Sequence, residues 1–147
     1  MNTVTNNIID QLKRDEGFRS TPYIDSRGFQ TIGYGHNLVA NPMQGMISLG
    51  EAEATALLGR DVERISAFLQ QKLPWVVNLD DARYGVLQNM AFNMGVPGLL
   101  DFHHDLSDTQ AGRYVQSATD MKNSAWYTQV GERAQRLVKQ MLSGEWQ

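Results

Sequence analysis

Cysteine is absent from the 147 residues. Neither a disulfide framework nor a thiolate metal site is therefore possible, and the chain is compatible with folding in a reducing compartment. No apolar run approaches the length needed to cross a bilayer, and the opening Met1-Asn2-Thr3-Val4-Thr5-Asn6-Asn7 has neither a basic start nor a signal-type apolar core. A basic excess is missing too. The net charge is −3, with four basic and four acidic residues in 1–50, five against ten in 51–121, and four against two in 122–147. That pattern is not the footprint of a nucleic-acid binder. His103 and His104 are adjacent, so they point apart on any regular element, and no H-E-x-x-H or comparable ligand spacing occurs; no metal is expected. Internal repeats and low-complexity segments are also lacking.

What is present, at 41% hydrophobic content, suffices for one domain with a sizeable core. Ile8, Ile9 and Leu12 form the apolar stripe of a short first helix that Gly17 ends. Pro22, then Tyr23 to Gly28 and Phe29 to Tyr34, read as two short strands joined by a turn. Asn37 to Ile47 reads as loop, marked by Pro42 and Gly45. Ser48 and Glu51 have the spacing of a capping box, opening a helix from about residue 49 to about 71 that Pro74 ends. Asn78 or Asp80 caps the next helix, with Ala82, Val86, Leu87, Met90, Ala91 and Met94 on a wide apolar face, and Gly95-Val96-Pro97-Gly98 is expected to stop it. Leu99 to Met121 is less regular, with Gly112 interrupting before a short helix. Asn123 or Ser124 caps another, and the last helix runs from Glu132 to Leu142 with Gly144 at its end.

The residues that carry chemistry lie early in the chain. Glu16 sits at the end of the first helix, Asp25 follows nine positions later at the hairpin turn, and Thr31 six positions after that on the second strand. A helix end and a hairpin can bring two carboxyls and a hydroxyl to one point. Glycoside hydrolysis needs such a pair, one carboxyl holding a proton for the leaving oxygen and the other ionised to handle water. Glu16 beside Phe18 suits the first role, and Asp25 in a polar turn the second.

Asp15-Glu16-Gly17-Phe18-Arg19, Tyr23-Ile24-Asp25 and Thr31-Ile32-Gly33-Tyr34-Gly35-His36 together resemble the catalytic segment of the phage-type lysozymes, glycoside hydrolase family 24. The resemblance continues through Ser48 to Ala54, Asp61-Val62, Leu87 to Gly95, Ser124 to Tyr127, Arg133-Ala134 and Gly144 to Trp146, covering nearly the whole chain in order. It implies an α+β lysozyme-like fold as a single domain over 1–147. A small sheet lobe would span about 1–50, with helix 1 packing toward the other lobe. A joining helix would span about 49–71, and a helical lobe about 72–147. It implies a muramidase that needs no cofactor and cleaves the β-1,4 bond between N-acetylmuramic acid and N-acetylglucosamine in peptidoglycan with inversion. Glu16 would be the general acid, while Asp25 and Thr31 would hold the attacking water. Phe92, Asn93 and Leu38 would contact substrate. Arg133 would reach back to Glu16, and His36 would pair with Asp61. The same resemblance implies a monomeric phage endolysin without stable membrane insertion, made in the host cytoplasm, released by a holin, and acting on the wall in the periplasm.

Two other readings lead to different tests. A lytic transglycosylase works with one acid and no water-holding carboxylate, and the presence of both Asp25 and Thr31 argues against it. A wall-binding or virion component that has lost catalysis is opposed by the intact triad of residue types.

Overall fold

The computed structural model describes residues 4–45 and 48–147. Met46 and Ile47, at the end of the loop expected over 37–47, and the first three residues lie outside the described residues. The chain divides into two compact units, one ending at Arg64 and one running from Ile65 to Gln147. The division falls inside a helix rather than at its end. Among the described residues no helix is long and apolar enough to cross a membrane.

The first unit begins with α1 (Asn6–Glu16), capped by Thr5, whose hydroxyl accepts from the Ile8 N–H. Ile8 and Leu12 are fully buried, as their stripe required. Gly17 closes the helix with φ 71° and ψ 156°, a backbone region that a residue with a side chain rarely adopts. Three strands follow, β1 (Arg19–Ile24), β2 (Gln30–Gly33) and β3 (His36–Asn37), in an antiparallel sheet of order β1-β2-β3. The first strand starts at Arg19, before Pro22 rather than after it. Proline is tolerated because β1 is an edge strand whose pairing is irregular between Arg19 and Tyr23.

The next helix, α2 (Glu51–Lys72), corrects one expectation. Ser48 and Glu51 do not form its capping box. Glu53 instead reaches back to the Gly50 N–H at 3.0 Å. Glu51 is drawn away by partners outside its own turn, accepting from Tyr34 Oη at 2.9 Å and Lys13 Nζ at 3.2 Å. Phe18 packs on Tyr34 with ring centroids 5.5 Å apart. These contacts hold the end of α1, and with it Glu16, against the sheet and the start of α2.

In the second unit a 3₁₀ turn (Pro74–Asn78) precedes α3 (Asp81–Met94), which Asp80 caps by accepting from the Arg83 N–H. Residues Tyr84 to Ala91 are all buried, so α3 is the spine of a core that includes Leu69, Leu99, Met121, Leu137 and Met141. Its buried polar groups are paired. Gln88 donates to Ser66 Oγ at 2.9 Å, and Gln70 donates to Tyr84 Oη at 3.1 Å. Gly85 lets the Trp146 indole lie against the helix, since a Cβ there would stand 2.2 Å from its Cη2.

Gly95 ends α3, but the following residues do not simply stop. Val96–Leu100 forms α4 with Pro97 in its first turn, where a missing N–H costs nothing. Then come α5 (His103–Gln110), α6 (Tyr114–Lys122), α7 (Ala125–Val130) and α8 (Glu132–Ser143). Ser124 caps α7, and Gly144 ends α8 in the left-handed region. The fold is α+β and mostly helical.

Candidate active site

Glu16, Asp25 and Thr31 all belong to the first unit, and the β1–β2 hairpin relates the last two directly. At the turn the Asp25 N–H donates to the Phe29 carbonyl at 2.9 Å. The same residue's Oδ1 accepts from the backbone N–H groups of Arg27 and Phe29, each at 2.9 Å. Two donors on one oxygen hold the carboxylate's orientation in the turn. Oδ2 makes no hydrogen bond with the described residues and remains an acceptor for water.

Thr31 is 2% exposed, and its Oγ1 donates to the Phe29 carbonyl at 2.8 Å. The hydroxyl proton is thereby committed, so toward any ligand Thr31 presents lone pairs rather than a donor. Phe29 thus organises both residues, with its N–H on Asp25 and its carbonyl on Thr31.

Tyr23 connects this pair to Glu16. It stands opposite Thr31 in the sheet register, which places the two side chains on one face. Its phenol is pushed above the usual tyrosine range first by burial and then by the negative charge of Glu16, with Arg19 in opposition and Asp25 adding the least. The phenol therefore lies within electrostatic reach of both carboxyls. No role was read for Tyr23 from sequence, although its two-residue offset from Asp25 on an extended segment carried that signal.

His36 and Asp61 are buried, at 4% and 3% exposure, and His36 Nδ1 lies 2.7 Å from Asp61 Oδ2. The other ring nitrogen is 2.8 Å from the Asn41 carbonyl. Both ring nitrogens thus face acceptors, an arrangement that a doubly protonated ring satisfies and either neutral tautomer does not. Burial works against that charge. The hydrogen bond and charge of Asp61 and the Asn41 carbonyl outweigh it, with Arg64 in opposition, and the histidine is raised above its ordinary value. Arg64 also pairs with Asp61 Oδ1 at 2.9 Å. The link ties β3 to α2.

A group whose folded value is raised contributes stability fully below its unfolded pKa of about 6.5, and that share is lost as pH rises through the folded value. His36→Asn should therefore lower the urea midpoint most near about pH 5 to 6, by the equivalent of about 3 kcal/mol, with a deficit that shrinks at alkaline pH. A deficit that is flat with pH would remove the charged pair from the account.

The remaining sequence-predicted residues are placed as follows. Leu38 follows β3, half-buried, its N–H on the Gln30 carbonyl at 2.9 Å. Phe92 and Asn93 are half-buried near the end of α3. The Asn93 Oδ1 accepts from the Trp126 indole at 3.0 Å, so part of the amide expected to serve a sugar N-acetyl group is held by the protein. Arg133, on α8, donates its Nε to Asn89 Oδ1 at 2.9 Å. Phe92, Asn93 and Arg133 belong to the second unit.

The second unit also holds an acidic network between α5 and α6. Asp105 is 2% exposed; its Oδ1 accepts from the hydroxyls of Ser117 and Thr109, while its Oδ2 is buried without a partner among the described residues. It lines a cavity of about 370 Å³ together with Phe102, His103, His104 and Asp120.

The phage lysozyme family model matches residues 13–141. Among curated proteins, the chain is 29% identical to the pre-baseplate central spike protein Gp5 of Enterobacteria phage T4, over 93% of this chain but only 28% of that protein's length. It is 28% identical to probable T4-type lysozyme 1 of Dictyostelium discoideum, over 96% of each. With the endolysin of Salmonella phage P22 it shares 31% identity over 65% of each. With its match running from the last turn of α1 into α8, the chain belongs to the phage lysozyme family, and its class is glycoside hydrolase.

Proposed function

We propose that the chain is a muramidase that hydrolyses the β-1,4 bond between N-acetylmuramic acid and N-acetylglucosamine in peptidoglycan, with inversion at the anomeric carbon. The observation that carries this reading is the division of labour around Phe29. Asp25 keeps one oxygen on two backbone N–H groups and has the other for water, while Thr31 spends its proton on the Phe29 carbonyl and accepts from the same water. Glu16 gives its proton to the leaving oxygen. Asp25 and Thr31 direct water at the opposite face of the sugar, which requires inversion because no covalent glycosyl-enzyme forms. Leu38, Phe92 and Asn93 contact the glycan.

In the organism this reading corresponds to a phage endolysin. It is monomeric, made in the host cytoplasm, admitted to the periplasm by a holin, and active on the wall. Similarity to the T4 spike protein favours a second setting, a lysozyme module carried on the virion.

Anomer-resolved NMR of freshly released products tests the chemistry, and inversion is the expected outcome. Thr31→Val, which removes the hydroxyl at similar volume, should lower activity by roughly tenfold or more while the thermal midpoint changes little. Retention would mean that a protein group attacks first, and the water-holding role would be abandoned. Anhydromuramic ends in the products would instead identify a transglycosylase.

A further inference from the structure

We propose that Arg19, held on the ring of Tyr23, recognises a carboxylate on the glycan substrate and is a specificity-determining residue for the reaction. This rests on the muramidase reading above.

Between Gly17 and Gly50 the only lysine or arginine residues are Arg19 and Arg27, and the only acidic one is Asp25. Both arginines lie over aromatic rings, Arg19 at 4.5 Å from the centroid of Tyr23 and Arg27 at 5.3 Å from that of Phe29. The hairpin that carries Asp25 and Thr31 thus holds its two cations on aromatic platforms. Arg19 is exposed, and among the described residues it forms no ion pair with any carboxylate, Glu16 and Asp25 included.

An exposed arginine ordinarily samples many rotamers, and binding an anion must first restrict them. A ring beneath the guanidinium removes much of that cost. With its face on the ring, the guanidinium still has its edge N–H groups for a planar anion, and a carboxylate matches that fork. The charge is also well placed, because the Tyr23 phenol senses Arg19 together with Glu16 and Asp25. A neutral glycan would have no use for an unpaired cation there. A glycan whose muramic acid units bear carboxylate-terminated peptides would, and on such a substrate Arg19 sets the register in which the scissile bond meets Glu16.

The test compares the parent, Arg19→Gln and Arg19→Lys on purified peptidoglycan and on the same material with its carboxyls converted to amides. On native peptidoglycan Arg19→Gln should raise KM about tenfold with little change in kcat. Arg19→Lys, which keeps charge but not the planar fork, should fall between it and the parent. On the amidated substrate all three should coincide. Equal loss on both substrates, a loss confined to kcat, or no loss on either overturns the assignment. A parent that cleaves neither substrate overturns the muramidase reading, and the role of Arg19 with it. Thermal midpoints within about 2 °C of one another show that the comparison is between folded proteins.

Discussion

Glu16→Gln should reduce the rate of peptidoglycan hydrolysis by about 10²–10⁴-fold, the range that a positioned general acid contributes. Glutamine keeps the shape and hydrogen-bonding reach of the side chain but has no acidic proton for the departing sugar oxygen. The loss should appear in kcat, with binding of insoluble peptidoglycan retained, because the substitution removes an interaction that matters only as the glycosidic bond breaks. Asp25→Asn should be severe for a different reason. Its amide can still accept from Arg27 and Phe29, but the group facing water is no longer anionic. A turbidity assay on outer-membrane-stripped cells reads both. The neighbouring Asp15 suggests itself from sequence as a mild control, yet its side chain is only 1% exposed, and its replacement would disturb stability. Asp10, exposed on the same helix, is the better comparison, and Asp10→Asn should lyse at near the parent rate. Near-parent lysis by Glu16→Gln would mean that the proton comes from elsewhere.

Asp105→Asn should stabilise the protein at neutral pH. Burial is the main reason the Asp105 carboxyl is pushed up to about 6, opposed by hydrogen bonds from Ser117 and Thr109 and reinforced by the negative charges of Asp120 and Asp108. Asp120 is itself raised, first by burial and then by its hydrogen bond and charge interaction with Asp108, while Asp108 is lowered. For Asp105 the folded state therefore binds more protons than the unfolded chain between its ordinary value of 3.8 and about 6. Stability consequently falls as pH rises through that interval and stays lowered above it. The interval corresponds to about 3 kcal/mol at most, reduced wherever the helices relax to admit water. Asparagine abolishes the charge and can keep the Ser117 and Thr109 contacts. The variant should thus unfold at higher urea than the parent at pH 7.5, with the gap closing as pH approaches about 4. If the parent and variant midpoints ran parallel across that range, Asp105 would not be ionising in the folded protein at the cost stated.

Much of the fold was legible in the sequence because its signals are local. The Ile8 and Leu12 stripe, Gly17 after Glu16, Asp80 and Ser124 as caps, and Gly144 as terminator act within a turn or two of the backbone, and each stands where its chemistry requires. The residue types of the candidate site were legible for a similar reason. A carboxyl at a helix end and another in a turn are properties of short segments, and the order Glu16, Asp25, Thr31 carries the family likeness.

Only the tertiary structure decided which partner each polar group takes. Glu51 has the spacing of a capping-box residue, yet Tyr34 and Lys13, distant in sequence, claim it, and Glu53 reaches Gly50 instead. Nothing local to Asp105 signals that α6 closes over α5 and buries it beside Ser117. Gly95 to Gly98 reads as a helix stop, but with Leu99 in the core the chain takes a further turn of helix over Val96–Leu100. The hydrogen bonds of Phe29 to Asp25 and Thr31 likewise follow from the fold of the hairpin, not from the residue types alone. Local preferences are worth tenths of a kcal/mol to about one, whereas burying a side chain or leaving a buried charge without a partner is worth several. Where the two conflict, packing between distant segments sets the outcome, and the sequence records it only as residues whose partners lie elsewhere in the chain.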